Sequence, residues 1–416
     1  MQADGEVYKE HFVLLHGAGH GAWCWFKLAS LLQASGHRVS CVDLAGAAGS
    51  LVDPNSVSSF DQYDAPLVDF MAALPDGGYK GVPDLSEFGD VYDLTFGLGG
   101  AHPPTSVALR KEYQRTILYQ QSPQEDSTLA SILLRPWPTA LSTAKFGRVD
   151  EGAQSTVNLA EARLMGMAKE HFVLVHGEGH GAWCWFKLRW LLEGSGYRVT
   201  CIDLSGGGVD PTDPNTVRSF KQYDKPLIDL VSTLPEGEKV ILVGHGAGGL
   251  SIIHAMHEFV DRISQAFFVA ATMLPFGFQT DEDKKDGLPA LAENEIELTH
   301  GAAPDDPPTT IALRPEFQRD RQSQQSPEEE SVLASMLMRP WPAAAISTAS
   351  FEGDDERLNR IKRIFIKTER DHMLDPEQQD SMIKKWPPSE VLAIDTDHSP
   401  FFSAPEQLFN LIVKSL

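Results

Sequence analysis

The 416-residue chain is short of positive charge, of cysteine and of long apolar runs, and each shortage removes a class of function. Lysine and arginine number 35 against 58 aspartates and glutamates, a formal net charge of −23. Such a surface argues against nucleic acid or anionic membrane as partner. No stretch approaches the roughly 20 apolar residues of a membrane span. Residues 1–10 are polar and lack the apolar centre of a signal peptide, so a cytoplasmic location is expected. The four cysteines, Cys24, Cys41, Cys184 and Cys201, are two equivalent pairs in a repeated sequence rather than a disulfide framework, and free thiols are expected. What is present, 42% hydrophobic and 22% charged residues, is the composition of a globular protein with a full core.

The chain repeats itself. Residues 10–77 align with 170–237 at a constant offset of 160, sharing His-Phe-Val-Leu and His-Gly-x-Gly-His-Gly-Ala-Trp-Cys-Trp-Phe-Lys-Leu. Further on the offset is 204, pairing Pro103-Pro104-Thr105 with Pro307-Pro308-Thr309 and Arg135-Pro136-Trp137-Pro138 with Arg339-Pro340-Trp341-Pro342. The offset grows from 160 to 204, so the first copy lacks 44 residues, and it also stops near Gly147. Three segments follow: a truncated copy at 1–147, a linker at 148–167, and a complete domain at 168–416. Met165-Gly-Met167-Ala-Lys-Glu, just ahead of the second copy, has the look of an old translation start. It points to a fusion of neighbouring gene copies, or to a gene model that joins them.

In the second copy, strand candidates at 171–175, 198–202, 239–243, 263–270, 362–367 and 390–394 alternate with helical stretches. That pattern predicts an α/β fold, a parallel sheet of about six strands covered on both faces. An insert at roughly 277–356 reads as a helical cap, because Ser326-Pro327-Glu328-Glu329 forms a capping box with proline at the first helical position. The first copy keeps strand candidates at 12–15 and 38–42 and a cap helix beginning at Ser122-Pro123. Two strands and a cap cannot bury one another as a complete sheet would.

The missing 44 residues hold the most informative segment of the second copy. Val240 to Val243 read as a buried strand, and Gly244-x-Gly246-x-Gly248, followed by Leu250, Ile252 and Ile253, reads as a tight turn into a helix. This is the shape of a nucleophile elbow, in which a serine sits on a strained strand-to-helix turn. Here the middle position is Gly246. Glycine adopts the strained backbone readily, so the turn is expected without the reactive oxygen. Ser251 lies five residues along the helix, more than one turn away and facing elsewhere.

Four motifs then occur in order: His176-Gly-x-x-His180-Gly-Ala-Trp-x-Trp, Val240-Ile-Leu-Val-Gly-His-x-x-Gly-Gly, Lys367-Thr-x-x-Asp371, and Asp397-His398-Ser-Pro-Phe-Phe. On these motifs the second copy resembles the plant methylesterase family, α/β-hydrolases that include salicylate-binding esterases and hydroxynitrile lyases. The resemblance implies hydrolysis of methyl esters of small carboxylic acids such as salicylate, jasmonate and indole-3-acetate, without metal or cofactor. The partner it implies is a small-molecule ester or acid, and a homodimer is left open.

In such folds the triad runs nucleophile, acid, histidine, which places Gly246, Asp371 and His398 in those positions. Asp371 would orient the imidazole, and His398 would accept the nucleophile's proton and pass it to the departing alcohol. The oxyanion hole would use the backbone N–H groups of Ala247 and Glu178. The first copy has Ala18 where the second has Glu178. A carboxylate there either opposes the developing oxyanion or points into solvent, and the sequence leaves both open.

Removing the serine costs on the order of a millionfold in turnover, so an esterase shell with weak or no hydrolysis is expected. Two alternatives stand beside it, a non-catalytic protein that binds a small carboxylate under the cap and an inactive by-product of duplication. Gly244-x-Gly246-x-x-Gly249 also fits a dinucleotide fingerprint. It follows the third strand of its domain rather than the first, and no acid ends the next strand.

Overall fold

A computed structural model describes residues 10–73, 92–97, 104–119, 122–139, 170–300, 308–353 and 355–416. The linker expected at 148–167 lies outside the described residues, Met165 included. The chain separates into two compact units, Met1–Gly166 and Met167–Leu416.

In the first unit β1 (His11–Leu15) and β2 (Arg38–Val42) pair in parallel, His11 opposite Arg38, across the helix Phe26–Ala34. Among the described residues these two strands form a sheet of their own. A second sheet, β3 (Tyr92–Thr95), β4 (Ser106–Leu109) and β5 (Trp137–Pro138), is antiparallel, and the expected cap helix runs over Gln124–Leu133. The three short strands are an addition to the sequence reading, which gave this part of the chain a helix alone. One buried cluster of this unit, with Leu15, Phe60 and Leu67 packed against it, is small: Leu44, Ala45, Val57 and Tyr63.

The second unit is built on six parallel strands: β6 (His171–Val175), β7 (Arg198–Ile202), β8 (Val240–Gly246), β9 (Ile263–Ala271), then β12 (Lys362–Thr368) and β13 (Glu390–Ile394) after the cap. Their order across the sheet is β13-β12-β9-β8-β6-β7. Every residue of β8 is buried, and so is every residue of β6, which pairs with β8 on one side and β7 on the other. Strands covered on both faces read as unbroken apolar runs, which is why Val240-Ile-Leu-Val sits at the centre. The helices Gly248–Glu258, Lys225–Ser232, Phe186–Gly194 and Pro405–Lys414 each turn an apolar side inward.

The cap leaves and returns at one place, where the Phe278 N–H donates to Ala349 O (2.7 Å) and the Phe351 N–H to Phe276 O (3.0 Å). It contains the helices Asp281–Gly287, Pro315–Gln322, Glu328–Leu337 and Ala343–Ile346. It also contains an antiparallel pair, β10 (Ile296–His300) and β11 (Pro308–Leu313). The cap is helical as expected, and the strand pair is an addition to it: Thr309, Thr310 and Ile311 favour a pleated strand. The capping box is corrected. The helix begins at Glu328 after Pro327, one residue too late for Ser326 to cap it, and the Ser326 hydroxyl donates instead to Asp397 Oδ2 at 3.0 Å.

Candidate active site

The elbow is present in backbone form. β8 ends at Gly246 and the helix Gly248–Glu258 begins two residues later. Gly246 has φ +51°, in the left-handed region, and the β8–β9 register shifts between His245 and Gly246. Across that shift Ala270, the residue left unpaired between Val269 and Ala271 in β9, has φ +43°, a costly conformation for a side-chain-bearing residue. The following glycines are required by close packing, since a Cβ on Gly248 would stand 2.5 Å from His176 O and one on Gly249 2.2 Å from Thr272 O.

Asp371 and His398 are brought together. The His398 Nδ1–H donates to Asp371 Oδ2 at 2.8 Å, and both groups are buried. The Asp371 carboxylate is fixed by further donors, the Met373 and Leu374 N–H groups on Oδ1 and the Thr368 hydroxyl on Oδ2, each at 2.8 Å. Burial opposes the imidazolium of His398, but Asp371, then Glu178 and Asp397, outweigh it and hold its pKa above the ordinary histidine value. His180 and His245 are the reverse case. Burial is the leading cause for both, dropping His180 to about 3 and His245 well below its ordinary value, and they stay neutral beside the charged ring. His245 Nε2–H also donates to the His398 carbonyl at 2.8 Å, tying the elbow to the histidine loop.

Glu178 does not point into solvent. It is 5% exposed, and its Oε2 accepts the Ala247 N–H at 3.0 Å. A Cβ built on Gly246 would lie 2.4 Å from the same oxygen. One carboxylate oxygen thus holds an amide that the sequence reading assigned to the oxyanion hole and crowds the place where a nucleophile's side chain would start.

Ser251 is fully buried on the elbow helix. A residue missed by the sequence reading is Asp397. Its carboxylate is fully buried and accepts from Gln325 N (2.8 Å), Ser326 Oγ (3.0 Å), Ser399 N (3.1 Å) and Ser403 Oγ (2.8 Å), fastening the cap to the loop that carries His398. Its position beside His398 in the fourth motif was the available signal. The cavity beside Gly179, His180, Tyr223 and Trp341 measures about 10 Å³, room for about one water.

The model of the Alpha/beta hydrolase family matches residues 12–158 and again 172–411. Methylesterase 17 of Arabidopsis thaliana is 45% identical over 271 residues, covering 64% of this chain and 97% of that protein. The chain belongs to the methylesterase group of the α/β hydrolase family. The pheophorbidase of Raphanus sativus is 40% identical over 248 residues, 59% of this chain and 94% of the relative. The crystal structure of the methylesterase MES16 from Arabidopsis is 39% identical, covers 59% of this chain and 98% of that one, and superposes with a TM-score of 0.53. Among the described residues of this methylesterase-type chain, no cluster of three or more His, Cys, Asp or Glu could hold a metal, and no helix is long and apolar enough to cross a membrane.

Proposed function

We propose that the second unit carries a methylesterase site, of the family that acts on methyl esters of small carboxylic acids such as salicylate, jasmonate or indole-3-acetate, whose own hydrolysis is weak or lost. The observation that carries this reading is the geometry at Gly246: a left-handed elbow at the end of the central strand beside a buried Asp371–His398 pair 2.8 Å apart, without a hydroxyl between them. His398 would be the general base and Asp371 its orienting acid, with Gly246 at the nucleophile's position and the Ala247 and Glu178 N–H groups on the oxyanion. Losing the serine alone costs on the order of a millionfold in turnover, leaving ~10³ to 10⁴ over water.

The alternative of a non-catalytic carboxylate-binding protein has less support, since Glu178 sets a like charge against such a ligand at the Ala247 N–H. Incubating the full chain with a panel of methyl esters tests the reading. Hydrolysis close to the buffer rate is expected, and turnover typical of an esterase would overturn it and require another nucleophile.

A further inference from the structure

Residues 16–28 and 176–188 differ at one position, Ala18 against Glu178. In the second unit that one difference puts a carboxylate at the centre of the site. Glu178 fits because position 246 is glycine, as a Cβ there would come within 2.4 Å of its Oε2. The same oxygen takes the Ala247 N–H at 3.0 Å, a donor at the N-terminus of an eleven-residue helix, where negative charge is favoured. The two departures from an esterase are therefore one spatial event, with side chain lost at the elbow and gained from the facing loop. The gained group imitates what an acyl substrate would place there, an anionic oxygen on a backbone amide.

We propose that Glu178 is an internal ligand of the oxyanion centre, coupled to Gly246, and that by occupying the Ala247 donor it excludes carboxylates and ester carbonyls from this site. The proposal rests on the esterase reading of the elbow for the kind of ligand displaced. It adds that restoring serine alone does not restore the site. A serine at 246 competes with Glu178 for the same space, and the swung carboxylate still faces any oxyanion with its own charge.

The test compares the full chain with Glu178→Ala, Gly246→Ser and the double variant, using salicylate binding by calorimetry and hydrolysis of the methyl ester panel. Alanine is the residue of the first copy at this position, and thermal melting checks that each variant remains folded. Glu178→Ala is expected to gain at least about tenfold in salicylate affinity without gaining hydrolysis. Gly246→Ser is expected to trail the double variant by roughly 10² to 10³ in turnover, the cost of one oxyanion donor. Unchanged salicylate affinity in folded Glu178→Ala, or turnover above the buffer rate that is equal in Gly246→Ser and the double variant, would overturn the internal ligand. If salicylate affinity rises while the double variant hydrolyses no ester, the esterase reading fails and the internal ligand stands.

Discussion

The two units carry the same fastenings on unequal cores. In the second, Lys187 pairs with Glu330 of the cap, Asn215 Oδ1 accepts from Thr309 Oγ1 (2.7 Å), and Arg339 donates to Asp210 O (2.7 Å). In the first, Lys27 pairs with Asp126 (2.7 Å), Asn55 Oδ1 accepts from Thr105 Oγ1 (2.8 Å), and Arg135 donates to Ser50 O (3.4 Å). What differs is burial. All five residues of β6 are buried, and none of the equivalent β1 is, because β1 has β2 beside it where β6 has both β7 and β8. Contacts between a loop and a cap are present in the unit that has no counterpart of the missing 44 residues, whereas a two-sided core requires the strand they contain.

The comparison breaks most visibly in chemistry. Asp371 and His398 lie beyond the point where the first copy ends, so any turnover unlocked by Glu178→Ala with Gly246→Ser belongs to the second unit. Adding Asp371→Asn to that pair should lower turnover by on the order of 10⁴, through loss of the productive histidine tautomer. The equivalent loop of the first unit offers a control, since His16→Gln should leave the rate unchanged. A fall with His16→Gln would mean that the units share a site.

Burial gives the next largest contrast. Amides of β6 should exchange with solvent slower than those of β1 by roughly 10³ or more, because a strand paired on one side opens locally while a central one opens with the whole core. Equal protection in a hydrogen-exchange experiment would show that something covers β1 as β8 covers β6.

Much of this was legible in the sequence, for reasons that can be named. The inner strands were readable because central parallel strands are continuous apolar runs, and Gly246 was readable as a left-handed turn because a strand, three spaced glycines and an apolar helix leave no other path. Asp371 and His398 were found through order along the chain. The orientation of Glu178 was not legible, because position fixes its backbone and leaves a flexible side chain free to face solvent or site. The absence of a Cβ on Gly246 decides it, because Glu178 Oε2 takes that place. Ser326 was misread for a related reason. Its spacing suits a cap, but the buried acceptor Asp397, 71 residues away, outcompetes the helix end.

The paired lysines sharpen the comparison at a smaller scale. Lys187→Met strands Glu330, whose side chain is 2% exposed, and should cost the second unit about 3 kcal/mol. Lys27→Met, on a side chain 40% exposed, should cost the first at most about 1 kcal/mol. Burial, against the opposing pull of Lys187, raises the Glu330 carboxyl above its ordinary value. A carboxyl raised in the fold prefers its neutral form there, so the Lys187→Met loss should be largest above that folded value and shrink as the pH falls towards the ordinary one. Denaturation of both variants across acidic pH, followed unit by unit, checks the sign. A loss in Lys187→Met that does not change with pH would mean that Glu330 is solvated once its partner is gone.

The smallest effect tests whether Glu178 acts by charge. His398 is held above its ordinary value although burial pushes it down, with Asp371 the leading carboxylate and Glu178 the next. Glu178→Gln keeps an oxygen for the Ala247 N–H and removes the charge, so the His398 value should fall. A histidine raised in the fold contributes stability that is fully present below its ordinary value and lost as pH rises through the folded one. The variant should therefore lose part of that stability on the acidic side of neutrality, and its stability should change less with pH across this window. His16 in the first unit, lowered chiefly by burial, should titrate as before and serves as the internal reference in a proton NMR titration. If His398 holds its value in Glu178→Gln, Asp371 alone sets it. The carboxylate would then block the elbow by occupying space and the Ala247 N–H, with its charge screened from the ring beside it.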